Sequence, residues 1–205
     1  KKILIIGSNS FAGSDFTDYL LDKNFKVYGV SRSKEIKKEH LSYKKNKKLK
    51  NFKFFRINLN LRKDIYRLIQ IVKNQKIQYI ANFAAQGMVA ESWIKPEDWY
   101  FTNVVSNSIL IKELSKLKIK KYLNFSTPEV YGNTSSLMKE SNIFAPTTPY
   151  AISRSAQDFN LLAHFKTFNF PVTFTRAANI YGPYQQSYTI MTKIIISILT
   201  NKKIP

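Results

Sequence analysis

Cysteine is missing from the 205-residue chain. Disulfides, thiolate nucleophiles and zinc–thiolate sites are therefore excluded, no metal site is expected, and a cytoplasmic setting fits. Also missing is any run of the roughly 18 apolar residues that a membrane-spanning helix needs, so no membrane partner is expected. Lys1-Lys2 followed by Ile3-Leu4-Ile5-Ile6 opens like a secretory leader, but Gly7-Ser8-Asn9-Ser10 ends the apolar stretch too soon. Acidic residues are scarce: 13 against 33 basic ones, a net charge of +20. Such a surplus raises the question of nucleic-acid binding. The lysines, however, are spread along the whole chain. The densest stretch, 34–53, holds nine lysines and two glutamates, with Tyr43 and Phe52 as its only aromatics. It has no pattern for stacking bases and reads as a solvated loop, so no nucleic-acid partner is expected. A positive surface instead suits a small anionic ligand.

What is present is an alternation. With 44% hydrophobic residues the chain can bury one core. Short β-branched runs predict strands at Lys2–Ile6, Phe25–Val30, Lys53–Ile57, Ile77–Asn82, Tyr122–Phe125 and Val172–Thr175. Amphipathic stretches between them predict helices over Phe11–Lys23, Leu61–Asn74, about Pro96–Leu117, Tyr150–Phe168 and about Tyr188–Leu199. This order implies an α/β fold: a doubly wound parallel sheet with helices on both faces. There is no internal repeat or low-complexity linker. The closing Asn201-Lys202-Lys203-Ile204-Pro205 follows a helix without cap or tail and reads as an interruption.

Gly7-Ser8-Asn9-Ser10-Phe11-Ala12-Gly13 joins the first strand to the first helix. In that context Gly7 permits a tight turn and Gly13 lets helix and sheet approach. Free N–H groups at the helix start then face a pyrophosphate, so a dinucleotide site is expected over Gly7, Ser10, Phe11, Ala12 and Gly13. The second strand ends Val30-Ser31-Arg32-Ser33, without the acidic residue that would hold the ribose hydroxyls of NAD. Ser31 and Arg32 could hold a 2′-phosphate, which leans the cofactor expectation toward NADP over NAD.

Tyr150 and Arg154 are four apart, on one helical face, after the turn Pro146-Thr147-Thr148-Pro149. A phenol beside a fixed cation can act as a general base. Ser126, Thr127 and Glu129 follow a strand, where side chains reach the ligand crevice of an open α/β sheet.

Five boxes in order carry a resemblance over essentially the whole chain. Gly7-x-x-Ser10-Phe11-x-Gly13 resembles a G-x-x-G-F-x-G turn, and Asn82-Phe83-Ala84-Ala85-Gln86 an N-L-A-A strand end. Ser126–Gly132 resembles S-T-x-E-V-Y-G, Tyr150–Arg154 resembles Y-x-x-x-K, and Asn179–Pro183 resembles N-V-Y-G-P. Together they resemble the sugar-nucleotide epimerase/dehydratase group of the extended short-chain dehydrogenases/reductases, most of all its 4,6-dehydratases.

The resemblance implies a Rossmann-like NAD(P)-binding domain over 1–183 and the start of a substrate-binding region over 184–205, the rest of that region being largely absent. It places Ala84 and Ala85 over the nicotinamide, with Tyr150 and Arg154 at its ribose. Gln86, Thr127, Glu129 and Asn179 fall beside a nucleotide-sugar substrate. Tyr150 would take the proton of the sugar 4-hydroxyl as hydride leaves C4, with Thr127 on the same oxygen. Glu129 would take the C5 proton, water would leave from C5 and C6, and the hydride would return to C6. An epimerase or 4-keto reductase, or a non-catalytic cofactor-binding domain, are the alternatives. Three positions depart from the group's pattern: Ser10 replaces its middle glycine, Arg154 its lysine, and Pro128 an acidic residue. A homodimer is also implied. Its four-helix bundle would use Glu97–Leu117 and Tyr150–Phe168, which carry surplus apolar residues Ile109, Leu110, Leu114, Phe159, Leu161 and Leu162.

Overall fold

The computed structural model describes residues 1–134 and 137–204. Its strands are β1 (Lys2–Ile6), β2 (Lys26–Ser31), β3 (Phe52–Arg56), β4 (Tyr79–Asn82), β5 (Lys121–Ser126) and β6 (Val172–Arg176). They form one sheet in the order β3-β2-β1-β4-β5-β6, every neighbouring pair parallel. The helices are α1 (Phe11–Asp22), α2 (Arg62–Gln75), α3 (Pro96–Trp99), α4 (Asn107–Leu114), α5 (Pro149–Phe168) and α6 (Ile190–Leu199). Strand order reverses between β1 and β4, the switch point at which such sheets leave a crevice beyond their strand ends.

Alternation along β1 fixes which face each residue serves. Leu4 and Ile6 join one core with Ile65, Leu68, Ile69, Leu110, Ile111 and Leu161. Ile3 and Ile5 join the opposite core with Leu20, Leu21, Val27, Leu41 and Tyr43. Both faces of β1 are therefore dry, as a central parallel strand requires.

Two expectations are corrected. The stretch 34–53 is not a plain solvated loop. It makes three 3-10 turns, at Lys38–His40, Ser42–Lys45 and Leu49–Asn51. Leu41 and Tyr43 are fully buried against α1, and Ser42 N donates to Ser14 Oγ at 2.9 Å. Two apolar side chains with one residue between them suffice to pin a segment whose lysines stay in water.

The helix expected over Pro96–Leu117 is interrupted. Between α3 and α4 the chain makes a π turn over Tyr100–Ser106, which faces α5. The apolar residues assigned to a subunit contact also divide. Leu110, Leu114 and Leu161 are buried in the chain's own core, and Ile109 packs against that core. The exposed large apolar residues on these elements are Phe101, Val105, Ile152, Phe159, Phe165 and Phe168.

Candidate active site

The functional candidates gather at or beyond the C-terminal ends of the strands, Ser31 and Ser126 being the last residues of β2 and β5. The turn after β1 is shaped by contacts that only glycine allows. Gly7 has φ of +86°, and a Cβ there would lie 2.7 Å from Ala84 N. At Gly13 a Cβ would lie 2.2 Å from the Gly7 carbonyl oxygen, so α1 and the turn touch backbone to backbone. Ser10, at the group's middle glycine position, has φ of −74° and needs no glycine. Its hydroxyl donates to Gly7 O at 2.7 Å and accepts from Gly13 N at 3.1 Å, capping α1 and closing the turn.

Beside this turn runs a groove of about 270 Å³, lined by Gly7, Asn9, Ser10, Ser31, Arg32 and Ala84–Gln86. Ser31 Oγ accepts from Asn9 N at 3.0 Å, while the Asn9 amide reaches the carbonyl oxygen of Lys34 at 2.8 Å. Arg32 is exposed, and its guanidinium makes no hydrogen bond or ion pair among the described residues. A glycine cradle at a helix start, sharing one groove with an exposed cation, could hold a dinucleotide, with the pyrophosphate at the turn and the adenosine ribose by Ser31 and Arg32. Gln86, expected on the substrate side, lines this groove.

A second cavity, of about 470 Å³, adjoins it. Ala85, Thr127, Glu129, Tyr150, Arg154 and Asn179 all line it, with Met191 and Thr189 on the far side. The structure thus brings together residues drawn from four separate stretches of sequence. Local geometry explains each placement. Thr127 caps the 3-10 turn Pro128–Tyr131, its Oγ1 accepting from Glu129 N at 3.3 Å, and Pro128 occupies the first turn position, which needs no N–H. Thr148 caps α5 through Ala151 N at 3.1 Å, so Tyr150 sits in the first turn. Glu129 is exposed in the cavity wall and Thr127 is buried. Glu129 is the only carboxylic acid lining this cavity among the described residues.

Arg154 differs from the simple pairing expected of it. Its side chain is buried and donates from Nη2 to the carbonyl oxygen of Phe125 at the end of β5. Part of its planar fork is therefore committed to the sheet, and only the remainder borders the cavity with Tyr150. Ser126 also lines the cavity, but its hydroxyl is engaged, donating to Asp158 Oδ2 at 2.6 Å, which leaves Thr127 as the hydroxyl for a ligand.

Two supporting residues escaped the sequence reading. Asn103, on the π turn, accepts from Gln86 N at 2.8 Å and donates to Gln86 O at 3.0 Å. It also donates to Ser153 Oγ at 2.9 Å, and Ser153 donates to Tyr150 O at 2.7 Å. One buried amide thus ties the strand-end loop of β4 to the start of α5. A π turn at this point fits the tendency of such bulges to sit at functional sites. The other is Asp158, fully buried on α5, which accepts from Ser126, from Asn124 at 3.0 Å and from Arg176 at 3.0 Å. Burial pushes its carboxyl above the usual carboxylate range, while the Ser126 hydroxyl, the charges of Arg154 and Arg176, and Asn124 pull it back. A polar residue inside a helix gives no periodic sign of burial. The only available signals were the i, i+4 spacings Asn103–Asn107 and Arg154–Asp158.

Comparison with known proteins matches residues 4–204 to the family model described as GDP-mannose 4,6 dehydratase. A dTDP-D-glucose 4,6-dehydratase of Dictyostelium discoideum is 34% identical over 99% of this chain and 49% of its own length. The chain spans about half the length of the curated relatives it matches. Among solved structures, dTDP-glucose 4,6-dehydratase of Bacillus anthracis in complex with NAD superposes with a TM-score of 0.84 at 27% identity, over 100% of this chain and 63% of that one. A UDP-N-acetylglucosamine 4-epimerase of Methanobrevibacter ruminantium, bound to UDP-N-acetylmuramic acid, gives 0.86 at 25% identity, over 99% and 64%.

Proposed function

The chain belongs to the GDP-mannose 4,6 dehydratase family, and on that premise we propose that it serves an NAD(P)-dependent 4,6-dehydration of a nucleotide sugar. The observation that carries this reading is the joint placement of Thr127, Glu129 and Tyr150 on one cavity that adjoins the glycine-turn groove. A nicotinamide cofactor held by the Gly7–Gly13 turn, Ala84 and Ala85 would supply hydride acceptance at the sugar C4 and its return at C6. The chain's own residues move protons. Tyr150 takes the proton of the 4-hydroxyl, with Thr127 hydrogen-bonded to the same oxygen. The resulting C4 ketone acidifies C5, and Glu129 takes the C5 proton. Because Pro128 has no proton to give, the departing 6-hydroxyl draws its proton from Glu129 or from water, and once hydride is back on C6 the C5 carbon regains a proton from water through Glu129. Arg32 and the absence of an acidic residue at the end of β2 favour NADP over NAD.

Incubation with dTDP-glucose or GDP-mannose tests the reading. The expected 4-keto-6-deoxy product absorbs in alkali. An epimerised sugar without that absorbance would replace dehydration by 4-epimerisation, a reading favoured by the acid missing at Pro128. Tight cofactor binding with no turnover of any nucleotide sugar would leave a binding domain only.

The same reading includes a homodimer. Phe101 and Val105 on the π turn and Ile152 and Phe159 on α5 form an exposed apolar face where the two elements pack together. Exposed apolar side chains on two elements that pack together suit an association site. Light scattering at high concentration is expected to give twice the chain mass, and a strict monomer would overturn the assignment.

A further inference from the structure

The proton-moving residues come from two different supports. Tyr150 rides on α5, whereas Glu129 rides on the short turn Pro128–Tyr131. The two supports pack on each other, and two side chains, Arg176 and Phe144, touch both. Arg176, the last residue of β6, donates from Nη2 to the buried Asp158 of α5 at 3.0 Å. Its guanidinium carbon lies 5.3 Å from the Tyr131 ring centroid and 5.1 Å from that of Phe144. Tyr131 closes the Glu129 turn. Phe144 meets Tyr131 edge-on at 5.8 Å and stacks on Phe159 of α5 at 4.6 Å. Asp158 in turn holds Ser126, the residue immediately before Thr127.

A planar cation set among the rings of Tyr131, Phe144 and Phe174, and pinned at one edge by a carboxylate, has little freedom to shift. An ammonium could keep the ion pair but not the flat contact with the rings. The ion pair is also costly to break, because Arg176 would lose its only carboxylate partner among the described residues and Asp158 would be left with Arg154, Ser126 and Asn124 alone. Neither group lines the dinucleotide groove or the adjoining cavity. Contact with substrate is therefore not what the arrangement serves.

We propose that Arg176 is a positioning residue, which, held by Asp158, fixes the Glu129 turn against the helix that carries Tyr150. The proposal rests on the dehydratase reading only for the chemistry assigned to Glu129 and Tyr150. The joint itself stands on the contacts above.

The test is amide hydrogen exchange on the whole chain, comparing the parent with Arg176→Lys. Lysine keeps the charge opposite Asp158, so the fold is retained while the planar contact is lost. Two amides report on the turn: Gly132 N, which donates to Glu129 O, and Ala145 N, which donates to Val130 O. Their exchange should rise roughly tenfold, the scale of a lost cation–π contact. The amides of β1 and the affinity for NADP should stay unchanged. Unchanged exchange at Gly132 and Ala145 would overturn the proposal. So would an equal rise in β1, which would make Arg176 an ordinary core residue. Turnover gives a separate readout: in Arg176→Lys elimination should slow more than C4 oxidation, and an equal fall in both would also count against it. If the parent dehydrates no nucleotide sugar but the local exchange rises as expected, the joint stands and the dehydratase reading falls.

Discussion

Tyr150→Phe is expected to keep cofactor binding and to lower oxidation at the sugar C4 by about two to four orders of magnitude, the range for a lost acid/base. The ring stays in the first turn of α5, where the Thr148 cap and the Ser92 hydroxyl on Tyr150 N fix the backbone. Only the oxygen that takes the 4-hydroxyl proton is removed. Glu129→Gln should fail differently. Tyr150 is untouched, so C4 oxidation proceeds, but no group takes the C5 proton. In a single turnover the near-ultraviolet absorbance of reduced cofactor should build up and persist, and exchange of the C5 proton with heavy water should disappear. Normal turnover by Glu129→Gln, with no persistent absorbance, would rule out dehydration by this chain and leave Tyr150 and Thr127 in an epimerase or reductase.

Gly7→Val is expected to abolish dinucleotide binding outright. A β-branched residue is strained at φ of +86°, and its Cβ would also press on Ala84 N and on the Phe83 carbonyl carbon at 2.9 Å. The groove would lose both its turn and its neighbouring strand end. Isothermal titration with NADP and NAD decides the matter, with circular dichroism to confirm that the variant folds. Retained affinity in a folded variant would move the cofactor site elsewhere. Arg32→Ala is the graded counterpart. Arg32 is exposed and its guanidinium engages no described residue, so its loss should weaken NADP more than NAD without touching the turn. Equal losses would deny it a phosphate.

The sheet was legible in the sequence because its strands are short β-branched runs separated by amphipathic stretches. All six were expected within two residues of where they lie. The gathering of Thr127, Glu129 and Tyr150 was legible only through resemblance, since no spacing rule brings residues 23 apart to one cavity. What escaped has a common physical cause. Leu41 and Tyr43 stand among lysines, so the local charge hid two side chains that are wholly buried. Asn103 and Asp158 are polar residues inside helices, and composition assigns such residues to water. Their burial is set by partners 17 to 50 positions away, which no local pattern encodes. The π turn escaped for the same reason: its register slip serves the amide that bridges Gln86 and Ser153. Leu110, Leu114 and Leu161 were read as surplus because the width of the sheet face they cover was unknown.

The strand order has a consequence for the chain's synthesis. The dinucleotide groove is lined by residues between Ile6 and Thr102, whereas the adjoining cavity draws on residues from Phe83 to Met191. During vectorial translation the first four strands of the sheet, β3-β2-β1-β4, leave the ribosome while the Tyr150 helix is still unmade. Synthesis proceeds from the N-terminal end at about 5–20 residues per second. Cofactor capture can thus precede completion of the catalytic wall by several seconds. In that interval β4 has an open edge that only β5 will cover, and a nucleotide already seated on the Gly7 turn would hold β1 and β4 together until β5 arrives.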